Sequence, residues 1–387
     1  MRIAILSRAG RSYSTRRLRE AALARGFEVQ VMDTLKFSIL IERDSPALFY
    51  RHRRLREFDA VIPRIGASIT FYGLAVVRQF EQMGVYVLND SMAIARSRDK
   101  LRAVQMFSRH DIGLPPTAFV RDRDDVLHAV RRVGGVPVII KLLEGTQGVG
   151  VILAETEKVA EAIIQTLHSA RQNVLIQKFV KESQGQDIRA LVVGDHVVAA
   201  MKRMAQPGEF RSNVHRGGST EAVTLDAEYE RTAVRAAQVM GLRVAGVDML
   251  VSESGPQVLE VNSSPGFEGI EKATGIDVAG TIIRHLEQQV LSPEVDLRQR
   301  LALAGGYGIA EFTVHGMPHL ENKALRDTAL SAHNIHVMLI TRHDHVIANP
   351  KADDVIRQGD ALLCFGELSE LRLMMPERKR RGRRRRE

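Results

Sequence analysis

The chain has 387 residues, 44% of them hydrophobic, a single cysteine and a formal net charge of +9. That length allows about two or three domains with substantial cores, and the lone Cys364 excludes an internal disulfide framework or a multi-cysteine metal site, which favours a reducing compartment. No apolar run approaches membrane-spanning length, and the strand-like Met1–Ser7 meets Arg8 too early for a signal peptide, so a cytoplasmic protein is expected.

Residues 1–97 read as strands alternating with helices: Ile3 to Leu6, a helix from about Thr15 to Arg25, Glu28 to Met32, Ala60 to Pro63, a helix through Tyr72 to Met83, and Val85 to Leu88. This interleaving implies a parallel sheet with helical crossovers. A second region, 98–290, carries a glycine-rich loop and two hairpins. Residues 291–306 read as a partly helical linker, 307–374 as a compact third module, and 375–387 as an Arg-rich, disordered tail. Residues 377–387 hold eight Lys/Arg and two Glu, which leaves the rest of the chain at only +3. Such a polycation suits phosphates or polyacidic chains, with plain solvation as the alternative.

Within the second region, Val138 to Leu153 places strand-like flanks around Gly145-Thr-Gln-Gly148-Val-Gly150. The glycine order fits neither a dinucleotide fingerprint nor a Walker loop. A glycine-rich tip between two strands can fold its N–H groups over an anion, and Lys141 in the entering strand adds a point charge; ordinary turn formation is the alternative. Next comes a strand, Gln186 to Val193, with Asp187 and Arg189 on one face. A Gly194-Asp195 turn and a return strand, His196 to Met201, follow, and then Lys202-Arg203 and Arg211 to Gly218 as a basic, polar loop.

A further hairpin is read from Val247–Val251 and Gln257–Val261 around the turn Ser252–Pro256. Centred near Ser254, it sets Asp248 opposite Glu260, with Asn262 on the face of Glu260. Two carboxylates and an amide on one spot favour a hard cation, Mg or Mn rather than Zn; an exposed hairpin with solvated acids is the alternative. A glycine flap, scattered cations and a carboxylate site are together the parts for MgATP and phosphoryl transfer.

Residues 1–290 resemble the RimK-type α-L-glutamate ligases of the ATP-grasp superfamily throughout. The matching segments are Arg2–Ser7, Phe58–Gly66, Ala93–Leu101, Lys141–Gly148, Phe210–Gly218 and Glu260–Gly266. The resemblance implies an α/β and α+β architecture, with a pre-ATP-grasp domain over 1–97 and an ATP-grasp region over 98–290. It puts Lys100 and Lys141 on the nucleotide phosphates under the flap residues Gly145, Gln147 and Gly148, Lys178 and Phe179 at the adenine, and Asp187 at the ribose. Arg211, Ser212 and Asn213 surround the reacting phosphate or carboxylate, with Arg203, Arg211 and Asn213 in catalytic roles. Asp248, Glu260 and Asn262 hold Mg or Mn, two ions being expected. The implied reaction phosphorylates an acceptor carboxylate with ATP, and the amino group of L-glutamate then displaces the phosphate. In this family the acceptor is the C-terminal glutamate of ribosomal protein six of the small subunit, and some members polymerise glutamate. The chain departs from the family at Ile176-Gln-Lys178-Phe179-Val180, where an acid usually precedes the adenine contact, and this bears on nucleotide choice.

Residues 307–374 resemble the C-terminal module of potassium-channel regulators (TrkA-C, or RCK C-terminal), small βαβ units that dimerise and bind small ligands. The resemblance implies a regulatory or dimerising attachment and a homo-oligomer. Six histidines fall here, His315, His319, His333, His336, His343 and His345; a metal site or merely exposed polar faces would account for them. The leading expectation is a ligase that glutamylates a protein C-terminus, with the tail reaching for the ribosome or another anionic polymer. The rivals are poly-α-glutamate synthesis or ligation to another small carboxylate, and a non-catalytic nucleotide-responsive regulator.

Overall fold

The computed structural model describes residues 1–43, 46–55, 57–122, 124–143, 150–183, 185–206, 209, 218–291, 307–314, 317–342, 345–367 and 370. The chain divides into two compact units, Met1–His285 and Leu286–Glu387.

The first unit opens with β1 (Arg2–Leu6), α1 (Tyr13–Ala24) and β2 (Glu28–Met32), followed by a small antiparallel meander, β3 (Phe37–Leu40), β4 (Ala47–Tyr50) and β5 (Arg53–Arg54). The meander falls between the expected elements. Then come β6 (Ala60–Pro63), α2 (Thr70–Gln82) and β7 (Tyr86–Val87), and the larger strands align in parallel in the order β2-β1-β6-β7. Ile3 to Leu6 and Ala60 to Ile62 are buried, as continuous apolar runs covered on both faces should be. Two short helices follow, α3 (Ser91–Arg98) and α4 (Lys100–Arg109), and each is started by an aspartate that accepts a backbone N–H: Asp90 from Ala93 and Asp99 from Arg102.

The region after α4 contains β8 (Thr117–Phe119), α5 (Val126–Arg132), β9 (Val138–Leu142), β10 (Val151–Ala154), α6 (Glu157–Ser169) and β11 (Val174–Lys178), with antiparallel strands in the order β10-β9-β11-β8. After it stand β12 (Gln186–Val193), β13 (His196–Met204), β14 (Ser219–Ala222), α7 (Ala227–Met240), β15 (Val244–Leu250) and β16 (Gln257–Asn262). These strands form an antiparallel sheet in the order β14-β13-β12-β15-β16. Helix α7 starts at Asp226, which accepts from Glu228 and Tyr229, and ends at Gly241 in the left-handed conformation. Its Ala233, Ala236, Ala237 and Met240 recur at helical spacing and share a core with Ile188, Ala190, Val247 and Met249 of the sheet. Burying that stripe fixes which face of β12 and β15 remains for charged groups.

Two polar clamps join the parallel sheet to this region. Asn89, buried, donates to Val244 O and Ser263 O and accepts from the N–H groups of Arg243 and Val244. Glu271 in α8 (Glu268–Thr274) accepts from Tyr13 at 2.7 Å, from Arg17 Nε at 3.2 Å and from the N–H of Ala279, where α9 (Val278–Leu291) begins.

The second unit orders β17 (Tyr307–Thr313), β18 (Lys323–Ala324), β19 (His336–Arg342), β20 (His345–Ala348), β21 (Val355–Ile356) and β22 (Ala361–Glu367) into a sheet β17-β22-β19-β20 and a β18-β21 ladder. Every pairing described there is antiparallel. The βαβ crossover expected from the resemblance is absent among the described residues. The segment between β17 and β19 carries only 3₁₀ turns, Leu325–Asp327 and Ser331–His333, because its apolar residues lack a sustained helical period. Asp360, almost wholly buried, anchors the unit by accepting two bonds from Arg342 and one from the N–H of Arg357. His333 lies in a 3₁₀ turn, with Nδ1 2.6 Å from Glu370 Oε2, while His336 opens β19, so the two share no helix face. His315 and His343 lie outside the described residues, as do residues 292–306 of the expected linker 291–306, whose first residue, Leu291, ends α9, and the tail.

Candidate active site

The sheet β14-β13-β12-β15-β16 sets the charged groups of the site by strand alternation. Arg189 on β12 is the register partner of Asp248 on β15, and Asp187 on β12 is that of Arg203 on β13. Arg189 donates Nε and Nη2 to the two oxygens of Asp248, both at 2.6 Å. Arg203 donates Nε and Nη2 to Asp187 at 2.6 Å each, and the same Nη2 reaches Asp248 Oδ2 at 2.9 Å. The side chains of Asp187, Arg203 and Asp248 are 4–6% exposed. Burial alone would raise the Asp248 pKa, but Arg189 and Arg203 outweigh it and hold the carboxyl at about 2. Burial also opposes the charge of Arg203, and Asp248 and Asp187 together raise its pKa. Arg203 is thus a strand residue in a buried ion network. The expectation of a loop after Met201 stopped the strand three residues short, because Lys202-Arg203 is charged; the ion pairs supply the compensation that composition does not display.

The hairpin register comes out as read, with Asp248 opposite Glu260 and Gly246 opposite Asn262, and an irregularity follows Asp248. Glu260 is exposed and accepts a hydrogen bond from Asn262 Nδ2 at 3.0 Å. Lys100, at the start of α4, donates Nζ to Leu142 O at 2.7 Å. Burial lowers both lysines, Lys141 to about 8, while the Glu260 charge pulls each back up and Lys100 depresses Lys141 further. Lys100, Lys141 and Glu260 therefore lie within one electrostatic neighbourhood, although they stem from a helix and two different sheets.

Lys141 faces Val151 across the β9–β10 hairpin, whose glycine-rich tip, including Gly145, Gln147 and Gly148, lies outside the described residues. Arg211, Ser212 and Asn213 lie outside them as well. Lys178 ends β11 as an exposed residue, and its N–H donates to Pro116 O at 2.9 Å; Phe179, half-buried, follows it. In the sequence Arg189 stands only as the face-mate of Asp187. Its register opposite Asp248, which depends on the order β12-β15, is what reveals its role.

As a cation site, the oxygen set is two carboxylates and an amide. Among the described residues no group of three or more His, Cys, Asp or Glu is placed to hold a metal. Glu260 and Asn262, in contact and open to solvent, fit a hard cation that keeps waters. Asp248 is already engaged, yet its Oδ1 takes a single donor, which leaves acceptor capacity for a further ligand.

A pre-grasp sheet clamped to a two-sheet catalytic region with this charge arrangement defines an ATP-grasp enzyme. The model of the RimK PreATP-grasp domain matches residues 1–94, and that of the RimK-like ATP-grasp domain matches residues 97–286. A probable alpha-L-glutamate ligase of Rhodopirellula baltica is 59% identical over 384 residues, 99% of this chain and 95% of its own length. A second, from Ectopseudomonas mendocina, is 59% identical over 288 residues, 74% of this chain and 96% of its own. Among solved structures, the RimK domain ATP-grasp protein from Sphaerobacter thermophilus is 25% identical with a TM-score of 0.57, covering 74% of this chain and all of that one. The ATP-grasp ligase PsnB complexed with minimal precursor shares the fold at 22% identity and a TM-score of 0.60, over 74% of this chain and 98% of its own. The chain belongs to the RimK-like ATP-grasp family and is an ATP-dependent carboxylate–amine ligase.

Proposed function

We propose that the chain joins L-glutamate in α-linkage to a C-terminal glutamate, with ribosomal protein six of the small subunit as acceptor. The observation that carries this reading is the 59% identity to a probable alpha-L-glutamate ligase along almost the whole chain. In the proposed reaction an acceptor carboxylate oxygen attacks the γ-phosphorus of ATP and ADP leaves. The amino nitrogen of glutamate then attacks the acyl carbon, phosphate departs with the bonding pair, and the nitrogen gives up its proton.

The described residues take the following parts. Lys100 and Lys141 meet the phosphates, and their partial burial, which lowers the pKa of both, strengthens the attraction each charge would exert on a phosphoryl group. Arg203 fixes Asp187 and Asp248 relative to one another and is better placed to position than to touch the reacting atoms. Glu260, Asn262 and Asp248 would hold the divalent ion, Mg or Mn, one or two in number. That ion supplies charge neutralisation on the phosphates. In the regions beyond the described residues, Gly145, Gln147 and Gly148 are assigned to the phosphates and Arg211, Ser212 and Asn213 to the reacting group; among the described residues, Lys178 and Phe179 are assigned to the adenine.

The second unit and the tail are proposed to set when and where the ligase works. About a quarter of this chain has no counterpart in the Ectopseudomonas relative, so the shared chemistry resides in the remainder. We assign the second unit a TrkA-C-like oligomerising or ligand-sensing role, and the eight cations of residues 377–387 a role in holding the ribosome in the cytoplasm.

Mass spectrometry after incubation with ATP, Mg and each amino acid decides the matter. The expected products are the acceptor protein bearing whole glutamyl units, and no product with other amino acids. Products built on free glutamate alone would favour polymer synthesis. ATP binding without any product would make the chain a regulator.

A further inference from the structure

Several arginines of the first unit hold acids: the half-buried Arg189 holds Asp248, the buried Arg203 holds Asp187 and Asp248, and the half-buried Arg17 holds Glu271 and Asp277. Arg64 and Arg98, half-buried as well, hold no acid among the described residues. Arg64 leaves the carboxyl end of β6, the edge at which open α/β sheets receive ligands. Its Nη1 donates to Pro265 O at 2.7 Å and its guanidinium stands 5.9 Å from the centroid of Phe267. Arg98, the last residue of α3, donates Nη2 to the carbonyl of Ile65, next to Arg64 in sequence. Its Nε is buried and has no hydrogen-bond partner among the described residues. Burial, and then the charge of Arg98, lower Arg64 to about 10; burial lowers Arg98 against the pull of Glu260, with which it forms no ion pair.

Two desolvated like charges that meet carbonyls and the Phe267 ring, and no acid, among the described residues cost the fold free energy that an incoming anion would return. Lys100 and Lys141 already provide point charges for phosphate. A pair of guanidinium forks with an open Nε matches instead the planar, two-oxygen geometry of a carboxylate. Pro265, to which Arg64 is tied, lies three residues past Asn262, so Arg64 borders the hairpin that carries Glu260 and Asn262.

We infer that Arg64 and Arg98 form a subsite for the non-reacting carboxylate of an amino-acid substrate. The inference rests on the ligase reading above. Both the incoming glutamate and the terminal glutamate of the acceptor carry a second carboxylate, so the chemistry is shared and the source is decided by experiment.

The test uses the full-length enzyme and its Arg64→Met, Arg98→Met and Arg98→Lys variants. The KM for L-glutamate and for an acceptor peptide, and the Kd for MgATP, are measured for each. The same is done with glutamine and isoglutamine in place of glutamate, and with acceptors amidated at the corresponding positions. The expected result is a rise of about 10–100-fold in KM for one of the two amino-acid substrates, with MgATP affinity held within about twofold. The Met variants should also lose the preference for acid over amide that the wild type shows for that substrate, a readout that general loosening of the fold does not move. Arg98→Lys keeps the charge and loses the fork, so an intermediate effect in a folded protein is expected. Unchanged KM for both substrates, a retained acid-over-amide preference, or a parallel loss of MgATP affinity overturns the subsite. A wild type that ligates no glutamate sinks the ligase reading instead; calorimetric binding of glutamate against glutamine to wild type and Arg64→Met then still judges the subsite, equal discrimination by both proteins overturning it.

Discussion

Arg189 grips Asp248 with two parallel hydrogen bonds, each 2.6 Å, across a register pair of β12 and β15. Asp248 is therefore a fixed anion, held in place before any ligand arrives, and it shares its Oδ2 with Arg203.

Replacing Arg189 by Met should cost about 2–4 kcal/mol, because it strands a buried carboxylate that Arg203 alone must neutralise. The sign with pH follows from Asp248, whose folded pKa of about 2 lies below the reference 3.8. Its contribution, about 2 kcal/mol, is complete above pH 3.8 and is lost as pH falls towards 2. Denaturant unfolding of wild type and Arg189→Met should show a stability gap at pH 6 that closes between pH 4 and 2. A gap independent of pH would show that the pair contributes through packing alone.

Glu260→Gln should leave the fold intact, since the side chain is exposed, while lowering turnover on the order of 100-fold by removing a charge at the proposed cation site. It should also drive the Lys141 pKa below about 8, because Glu260 is the acid that holds it up. Turnover unchanged at saturating Mg would remove Glu260 from the metal set.

Lys141 gives the enzyme an alkaline signature. Burial places its folded pKa near 8, below the reference 10.5, so the unfolded chain binds more protons between those values and stability should rise with pH across that window. Over the same range the lysine loses the charge proposed to meet phosphate, and turnover should fall. Lys141→Met should flatten the stability slope. Lys141→Arg should move the alkaline limb of activity upward, and an unmoved limb would assign it to another group.

Asn89→Ala should be among the more damaging single changes in the first unit. It orphans two carbonyls and two N–H groups in a buried seam, for a loss of about 3–5 kcal/mol. Asn89→Asp should be no better, because a carboxylate cannot donate to Val244 O and Ser263 O. Thermal unfolding that matches wild type would show that water replaces the amide fully.

The strands and helices of residues 1–97 were readable because each carries a local period. The β3–β5 meander was not, since its short strands lie in a stretch crowded with arginine, including Arg51, Arg53 and Arg54 around its second turn. The Asp248–Glu260 register was readable for a related reason: a single turn near Ser254 fixes it, and both partners lie within 12 residues of one another.

By itself, the sequence determined the hairpin that sets Asp248 opposite Glu260, because that register depends on residue type and short spacing, and its resemblance to the RimK-type ligases pointed to the ATP-grasp class. Only the tertiary structure decided what surrounds them. That Arg189 and Arg203 hold Asp248 depends on β12 lying between β13 and β15; that Glu260 acts on Lys100 and Lys141 depends on two sheets and a helix meeting; and that Arg64 and Arg98 meet carbonyls and no acid among the described residues depends on where the fold sets them. Electrostatic partnership falls off through space and not along the chain. Residues 34 positions apart, such as Arg64 and Arg98, reveal their shared field only once the backbone has folded them together.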